Sequence, residues 1–234
     1  MSKDLKAILY YFAVDFRFSL IVFWSILLAS MVTLFMIGNS FEGTKILFSS
    51  GFSVYIYCAI SGFLITKETF PYCVKLGSTR NNYFLGAILF NILLALFMAI
   101  IHLSALSLFK WFVELSQMEN MSIILTVEKE TLLATLGGQL LLDTVIGFVL
   151  LSVGFLLSSA FYRLGMVGGI VGIALLGIVL ILPATRNWLI DFFLTAGTGD
   201  LQINYIALIL VALVAMIPNW LLLKNAPTTP GVTR

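Results

Sequence analysis

Six apolar runs of about 20 residues leave this chain few ways to fold. A helix rises 1.5 Å per residue, so about 20 apolar residues cross a hydrocarbon core about 30 Å thick. Hydrophobic residues make up 61% of the 234 residues and charged residues 10%, which does not fit an ordinary soluble domain. The alternating pattern of an outer-membrane barrel is not seen. We predict an all-α integral membrane protein, a single transmembrane domain at 1–234 with six spans at 18–38, 46–66, 83–109, 139–161, 165–183 and 203–223.

The distribution of basic residues predicts how these spans are oriented. Nine of the 13 Lys and Arg residues fall in one set of connections, at 1–17, 67–82, 162–164 and 224–234. The other set contains Lys45, Lys110, Lys129 and Arg186. Connections rich in Lys and Arg remain in the cytoplasm. We therefore expect a multi-pass protein of the cell membrane with both termini in the cytoplasm.

The amino-terminal segment 3–17 has an amphipathic pattern. At about 100° per residue, one narrow arc of a helix contains the apolar residues Leu5, Ile8, Leu9, Phe12 and Phe16. One flank of that arc contains Lys3, Lys6 and Arg17. This predicts an interfacial helix in the headgroup plane, with its cations meeting anionic membrane lipid. The alternative is a cytosolic extension of the first span that has no role of its own.

The connection FPYCVKLGSTRNNYFLG, at 70–86, contains helix start and stop signals. Thr69 can cap a helix, Pro71 suits a first turn, and Gly77 can adopt the left-handed stop conformation. We predict a short helix at about 70–76, crosswise between two spans, followed by a helix capped by Ser78 or Thr79. It would expose an apolar knob with cations beside it, made of Phe70, Tyr72, Cys73, Val74, Lys75 and Arg80. Such a knob can fill a groove on a partner; a tight turn resting on lipid headgroups is the alternative.

These features together resemble the ABC-2 type permeases, the transmembrane subunits of bacterial ATP-binding cassette exporters. The resemblance covers the interfacial helix, the six spans and the segment LGSTRNNYFLG, with family positions at Leu76, Gly77, Ser78, Thr79, Arg80, Tyr83 and Phe84. It implies an elbow helix at 3–17 and a coupling helix at 70–77, both touching a nucleotide-binding ATPase subunit. The ATPase-coupling residues would be Phe70, Pro71, Tyr72, Cys73, Val74, Lys75, Leu76, Gly77 and Arg80. It also implies a second permease subunit, a bacterial cell membrane and short outer helices at 184–202.

The sequence contains no GxxxxGK[ST] phosphate loop, so ATP and Mg would bind to the separate ATPase subunit. Cys58 and Cys73 have no spaced Cys or His companions, so we expect no metal and no cofactor in this chain. A net charge of +2 without a basic domain does not favour nucleic acid. We expect an exporter permease and not an enzyme. The expected cargo is hydrophobic or amphipathic, with a peptide toxin or antimicrobial peptide ahead of an antibiotic or lipid.

Two ionisable residues, His102 and Asp143, fall near the outer ends of their spans. They can meet as an outer polar gate, or each can reach water independently; we favour the second, because charges near helix ends reach the interface at little cost. The sequence shows no nucleophile and base at catalytic spacing. Two alternatives to a permease stay open: an intramembrane enzyme acting on lipid or peptide, and a scaffold or sensor that transports nothing.

Other small and polar residues predict close helix packing. Asn91 is deep in its span, where we expect a hydrogen bond between helices. Four-residue spacings in the fifth span allow a neighbouring helix to approach closely, at Gly165/Gly169 and Gly168/Gly172.

Overall fold

The computed structural model describes residues 3–40, 46–118, 120–123, 127, 131–183, 185, 187–188, 194–196 and 201–227. The protein is all-α, with helices α1 (Lys3–Ser40), α2 (Gly51–Leu64), α3 (Phe70–Lys75), α4 (Arg80–Leu115), α5 (Leu132–Ile181) and α6 (Tyr205–Lys224). A π-helical turn, Ile65–Thr69, joins α2 to α3. Short strands form two pairs: β1 (Ile46–Phe48) parallel to β2 (Met121–Ile123), and β3 (Leu194–Ala196) antiparallel to β4 (Leu201–Ile203).

Among the described residues, four helices are long and apolar enough to cross a membrane: α1, α4, α5 and α6. This confirms the predicted all-α class, and by length and composition these helices could cross a membrane. Six separate spans are not shown, because α2 has 14 residues. The predicted outer helices at 184–202 lie largely outside the described residues, and within that range Leu194–Ala196 is a strand.

Helix α1 is unbroken over 38 residues, about 57 Å at 1.5 Å per residue, so no boundary separates 3–17 from the first span. It runs parallel to α4. The Asn82 side-chain amide donates to Asp4 at 3.3 Å near the start of both helices. Near their ends, Asn120 donates to the Gly38 carbonyl at 2.8 Å.

The apolar arc of α1 packs on α4, whereas a helix lying in the headgroup plane would turn that arc toward lipid. Ile8, Phe12 and Phe16 are buried, and the Phe12 ring centroid lies 5.0 Å from that of Phe90. Gly86 makes room for the arc, since a Cβ there would be 2.7 Å from Ile8 Cγ2. The remaining residues of the predicted interfacial face are half-buried, as for Leu5 and Leu9, or exposed, as for Arg17.

Helix α5 is interrupted at Gly165, where φ is 71° and ψ is −167°, a conformation that glycine adopts readily. A Cβ on Gly169 would be 2.1 Å from Phe161, and one on Gly172 would be 3.5 Å from Leu157. In a straight helix the last two residues would be about 22 Å apart. The chain therefore folds back at Gly165, so that 132–164 and 166–181 form a helical hairpin. The glycine pairs do permit close packing, and their neighbour is the preceding half of the same helix.

Helix α2 runs parallel to the first half of α5 with direct backbone contact. A Cβ on Gly62 would be 2.3 Å from the Leu151 carbonyl oxygen, and one on Gly154 would be 2.3 Å from the Ala59 carbonyl oxygen. Helices that approach this closely leave no room for a methyl group on either partner.

One end of the bundle collects basic residues, and we call it the basic end. Arg80 donates to the Lys224 carbonyl at 2.5 Å, and Arg163 donates to the Leu221 carbonyl at 2.6 Å. These bonds bring together the start of α4, the turn at Gly165 and the end of α6. Lys75, at the end of α3, lies at this same end. At the opposite end β1 pairs with β2.

Candidate functional site

The first candidate site is α3 at the basic end. It continues from α2 through the π-helical turn, and it begins at Phe70 with Pro71 in its first turn, as the sequence predicted. The Thr69 hydroxyl does not cap a helix; it bonds to the Ile65 carbonyl and to the Tyr83 hydroxyl. Pro71 lacks the N–H that a regular α-helix needs at this point, and a local change in hydrogen-bond pattern accommodates it.

The stop of α3 and the start of α4 follow the predicted signals. Gly77 has φ of 90°, and the Ser78 and Gly77 amides donate to the Cys73 and Val74 carbonyls, each at 3.0 Å. These two bonds define a Schellman stop. Thr79, rather than Ser78, is the cap of α4, since its hydroxyl accepts from the Asn82 amide at 3.2 Å.

The exposed part of α3 is smaller than the sequence predicted. Tyr72 is 62% exposed and Leu76 is 77% exposed, with Lys75 exposed between them. Phe70 is 0% exposed and Cys73 is buried as well, so neither belongs to a knob. Pro71, Val74 and Arg80 are half-buried.

Phe70 fills a position inside this chain. Its ring centroid lies 5.0 Å from that of Tyr83 and 5.2 Å from that of Tyr162, both edge to face. Such aromatic pairs contribute beyond the area they bury. The predicted plug is thus the anchor of α3, which attaches the exposed Tyr72 and Leu76 to α4 and α5.

A groove of about 340 Å³ separates the start of α1 from α3, with Asp4, Tyr11, Cys73 and Leu76 in its lining. The Tyr11 and Tyr72 rings stack across it at 6.5 Å. Burial raises the pKa of the Cys73 thiol to about 11, with a smaller contribution from the negative charge of Asp15. The thiol is therefore neutral at physiological pH.

The second candidate site is a chain of buried polar side chains at the end opposite the basic end. Ser50, immediately before α2, has its Oγ 2.9 Å from His102 Nε2 on α4. His102 Nδ1 is 2.7 Å from Asp143 Oδ2 on α5. The three residues are 1% to 3% exposed. His102 and Asp143 are thus paired, as the gate interpretation required, and do not reach water separately.

Two further groups hold the Asp143 carboxylate. The Tyr55 hydroxyl donates to Oδ1 at 2.6 Å, and the Gln139 amide donates to the same oxygen at 2.9 Å. A carboxylate can only accept, so His102 Nδ1 donates to Asp143, and in the neutral imidazole Nε2 is an acceptor for the Ser50 hydroxyl. Together the bonds give a hydroxyl, an imidazole and a carboxylate in the order used for nucleophilic catalysis.

Sequence reasoning missed Ser50, Tyr55 and Gln139. The available signal was local: Ser50 follows a short apolar strand and precedes Gly51 at a helix start. Asn91 differs from its prediction, because it is fully buried and its side-chain amide has no hydrogen-bond partner among the described residues.

Comparison of this chain with protein-family models, with curated proteins and with solved structures found no match. The fold defines the class as an all-α protein with four helices, among the described residues, that are long and apolar enough to span a membrane. The function of the protein is inferred below from the geometry of α3 at the basic end and of the polar site at Ser50, His102 and Asp143.

Proposed function

We propose that this chain is the permease subunit of an ABC-2 type exporter, embedded in the bacterial cell membrane with both termini in the cytoplasm. The single observation that carries the proposal is the exposed tip of α3 at the basic end of the bundle. The tip, formed by Tyr72, Lys75 and Leu76, runs into the segment LGSTRNNYFLG, which begins at Leu76 and resembles that family in sequence.

Six crossings are supported by the alternating directions of the helical segments. α1 and α4 run one way, and α2 and the first half of α5 run the other. His102 meets Asp143 about two-thirds of the way along α4, whereas Phe84 stacks on Phe155 at 6.2 Å near its start. With α2 extended to Lys75 and α5 divided at Gly165, up-and-down order gives six passes.

The orientation follows from the basic residues. Lys67, Lys75, Arg80, Arg163 and Lys224 belong to segments that meet at the basic end, and Lys110 belongs to the other end of α4. Basic residues are retained on the cytoplasmic side, so the tip of α3 would face the cytoplasm, where a nucleotide-binding subunit is found.

The tip of α3 is suited to passing a force from that subunit into the bundle. Tyr72 and Leu76 are available to a partner, and α3 is attached to α2 without a loop. Buried Phe70 joins the tip to Tyr83 on α4 and to Tyr162 on α5. A displacement of the tip is therefore shared by three helices. ATP and Mg would be held by the partner ATPase.

The apolar surface of the spans supports a cargo class, and the family resemblance implies a second permease subunit. The spans are almost wholly apolar, which suits a hydrophobic or amphipathic substrate, with peptide ahead of antibiotic or lipid. A second permease subunit, identical or related, would complete the pathway.

The test is to express the chain with each cassette ATPase encoded beside its gene, purify the chain from detergent and measure bound ATPase and ATP hydrolysis. We expect one ATPase to co-purify and to be lost on Tyr72→Ala or Leu76→Ser. Trp111→Ala is the matched control, because Trp111 is exposed and lies toward the opposite end of the bundle. Failure of every ATPase to bind, or equal binding by the Tyr72 and Leu76 variants, would contradict the proposal.

A further inference from the structure

We propose that Ser50, His102 and Asp143 form a nucleophilic site that accepts the acyl group of a carboxylic ester carried by an amphiphile. The site is at the end of the bundle opposite the basic end, and the inference does not depend on the exporter proposal.

The distances between Ser50, His102 and Asp143 fit an activated serine. A serine is activated when a base within about 2.6–3.2 Å takes its proton and a third group orients that base. His102 Nε2 is 2.9 Å from Ser50 Oγ, and Nδ1 is 2.7 Å from Asp143 Oδ2. Both ring nitrogens are engaged, and in the neutral imidazole each has the role that a nucleophilic triad requires.

Additional hydrogen-bond donors hold the Asp143 carboxylate in place. Its remaining oxygen accepts from Tyr55 and from Gln139, so the carboxylate is held by donors on α2 and α5 as well as by His102. A bond between α4 and α5 that served packing alone would need one ring nitrogen. In this site the second ring nitrogen of His102 bonds to the Ser50 hydroxyl as well.

Ser50 lies at the start of α2, next to backbone amides that can stabilise an oxyanion. Its carbonyl accepts from the Ser53 and Val54 amides at 3.1 and 3.4 Å, so these are the first amides that bond within the helix. The preceding amides, of Gly51 and Phe52, have no acceptor within the helix. Free amides at a helix start stabilise the negative oxygen that forms when a carbonyl is attacked.

The neighbouring surface indicates the substrate class. Ser50 itself is 2% exposed, but Ser49 before it is exposed and Phe52 after it is 72% exposed. Leu47 and Phe52 are large exposed apolar side chains beside the serine. An ester with an apolar chain would lie along them and present its carbonyl to Ser50.

The reaction is a two-step acyl transfer to water. Ser50 Oγ bonds to the carbonyl carbon while its proton passes to His102 Nε2. The bond from that carbon to the alcohol oxygen then breaks, and the alcohol leaves with the proton from His102. Water attacks the acyl-serine and gives a proton to His102, which returns it to Ser50 as the carboxylic acid departs. Asp143 is a positioning residue that keeps Nδ1 protonated.

The probe is a fluorescent alkyl fluorophosphonate, applied to the purified full chain, with the labelled residue identified by mass spectrometry. We expect labelling at Ser50 about 100-fold or more faster in the folded protein than in the same protein unfolded in detergent, the size of a general-base contribution. Ser50→Ala should remove the label, and His102→Gln and Asp143→Asn should slow it. Ser49→Ala is the matched control and should label like the unchanged protein.

The comparison of folded with unfolded protein decides the matter even if a variant fails to fold. Labelling of Ser50 no faster in the folded state would overturn the proposal, as would a label that persists in Ser50→Ala. A network that only joins three helices predicts that first result, together with a loss of thermal stability in Ser50→Ala.

Discussion

A methyl group added at Gly62 or Gly154 should push α2 away from α5. The added Cβ would be 2.3 Å from a carbonyl oxygen of the facing helix in each case. A backbone oxygen cannot turn aside as a side chain can, so the helices must separate by about 1 Å to restore a normal contact. Overpacking of this kind costs about 1–3 kcal/mol. Ala over Gly in a helix returns about 1 kcal/mol, so each variant should be unchanged or up to about 2 kcal/mol less stable.

Gly137→Ala is the control, because Gly137 lies on α5 and a Cβ there would meet nothing within 4 Å among the described residues. It gains the helix propensity without the clash, so Gly62→Ala and Gly154→Ala should each be about 1–3 kcal/mol less stable than Gly137→Ala. The assay is denaturant unfolding of the purified protein in detergent. Identical midpoints for the three variants would refute the close parallel packing of α2 on α5.

Three further outcomes are expected. Phe70→Ala should cost about 3–5 kcal/mol of unfolding free energy because it empties a buried ring site, whereas Tyr72→Ala should change stability little. Thermal unfolding of the two variants measures the difference, and equal losses of stability would contradict the burial pattern. In a Cys58→Ser background, maleimide labelling of folded Cys73 should be slow at pH 7, because the raised pKa of about 11 keeps the thiol protonated. The labelling rate should rise about tenfold per pH unit toward that pKa. Rapid labelling at pH 7 would contradict this, since it would show an exposed thiolate. Thr79→Ala should lower the free energy of unfolding by about 1 kcal/mol through loss of the α4 cap, measured by the same unfolding assay. Thr79→Ser should keep the stability of the unchanged protein, because it keeps the capping hydroxyl.

Features that depend on a few neighbouring residues were predictable. The stop at Gly77 and the cap at Thr79 follow from backbone conformation and a hydroxyl at fixed spacing, and both are observed. The predicted boundary at 162–164 is one residue from the turn at Gly165, because a short basic break and a glycine mark it locally. His102 and Asp143 were placed at one end of the bundle by counting residues along each span.

Features that depend on distant partners were not predictable. Phe70 was expected outside because its own segment offers no site for it, and that site is built by Tyr83 and Tyr162 from other helices. Ser50 joined the polar site for the same reason, since its partners come from α4 and α5.

The sequence alone determined that the chain forms long apolar helices, because the length and hydrophobicity of a span are properties of one continuous segment. The tertiary structure decided which face of each helix is buried. In a helix that is apolar all round, residues that face lipid and residues that face another helix have the same hydrophobicity, so only contacts between helices distinguish them. Those contacts turned the arc of α1 toward α4 and gathered a serine, a histidine and an aspartate from three separate segments.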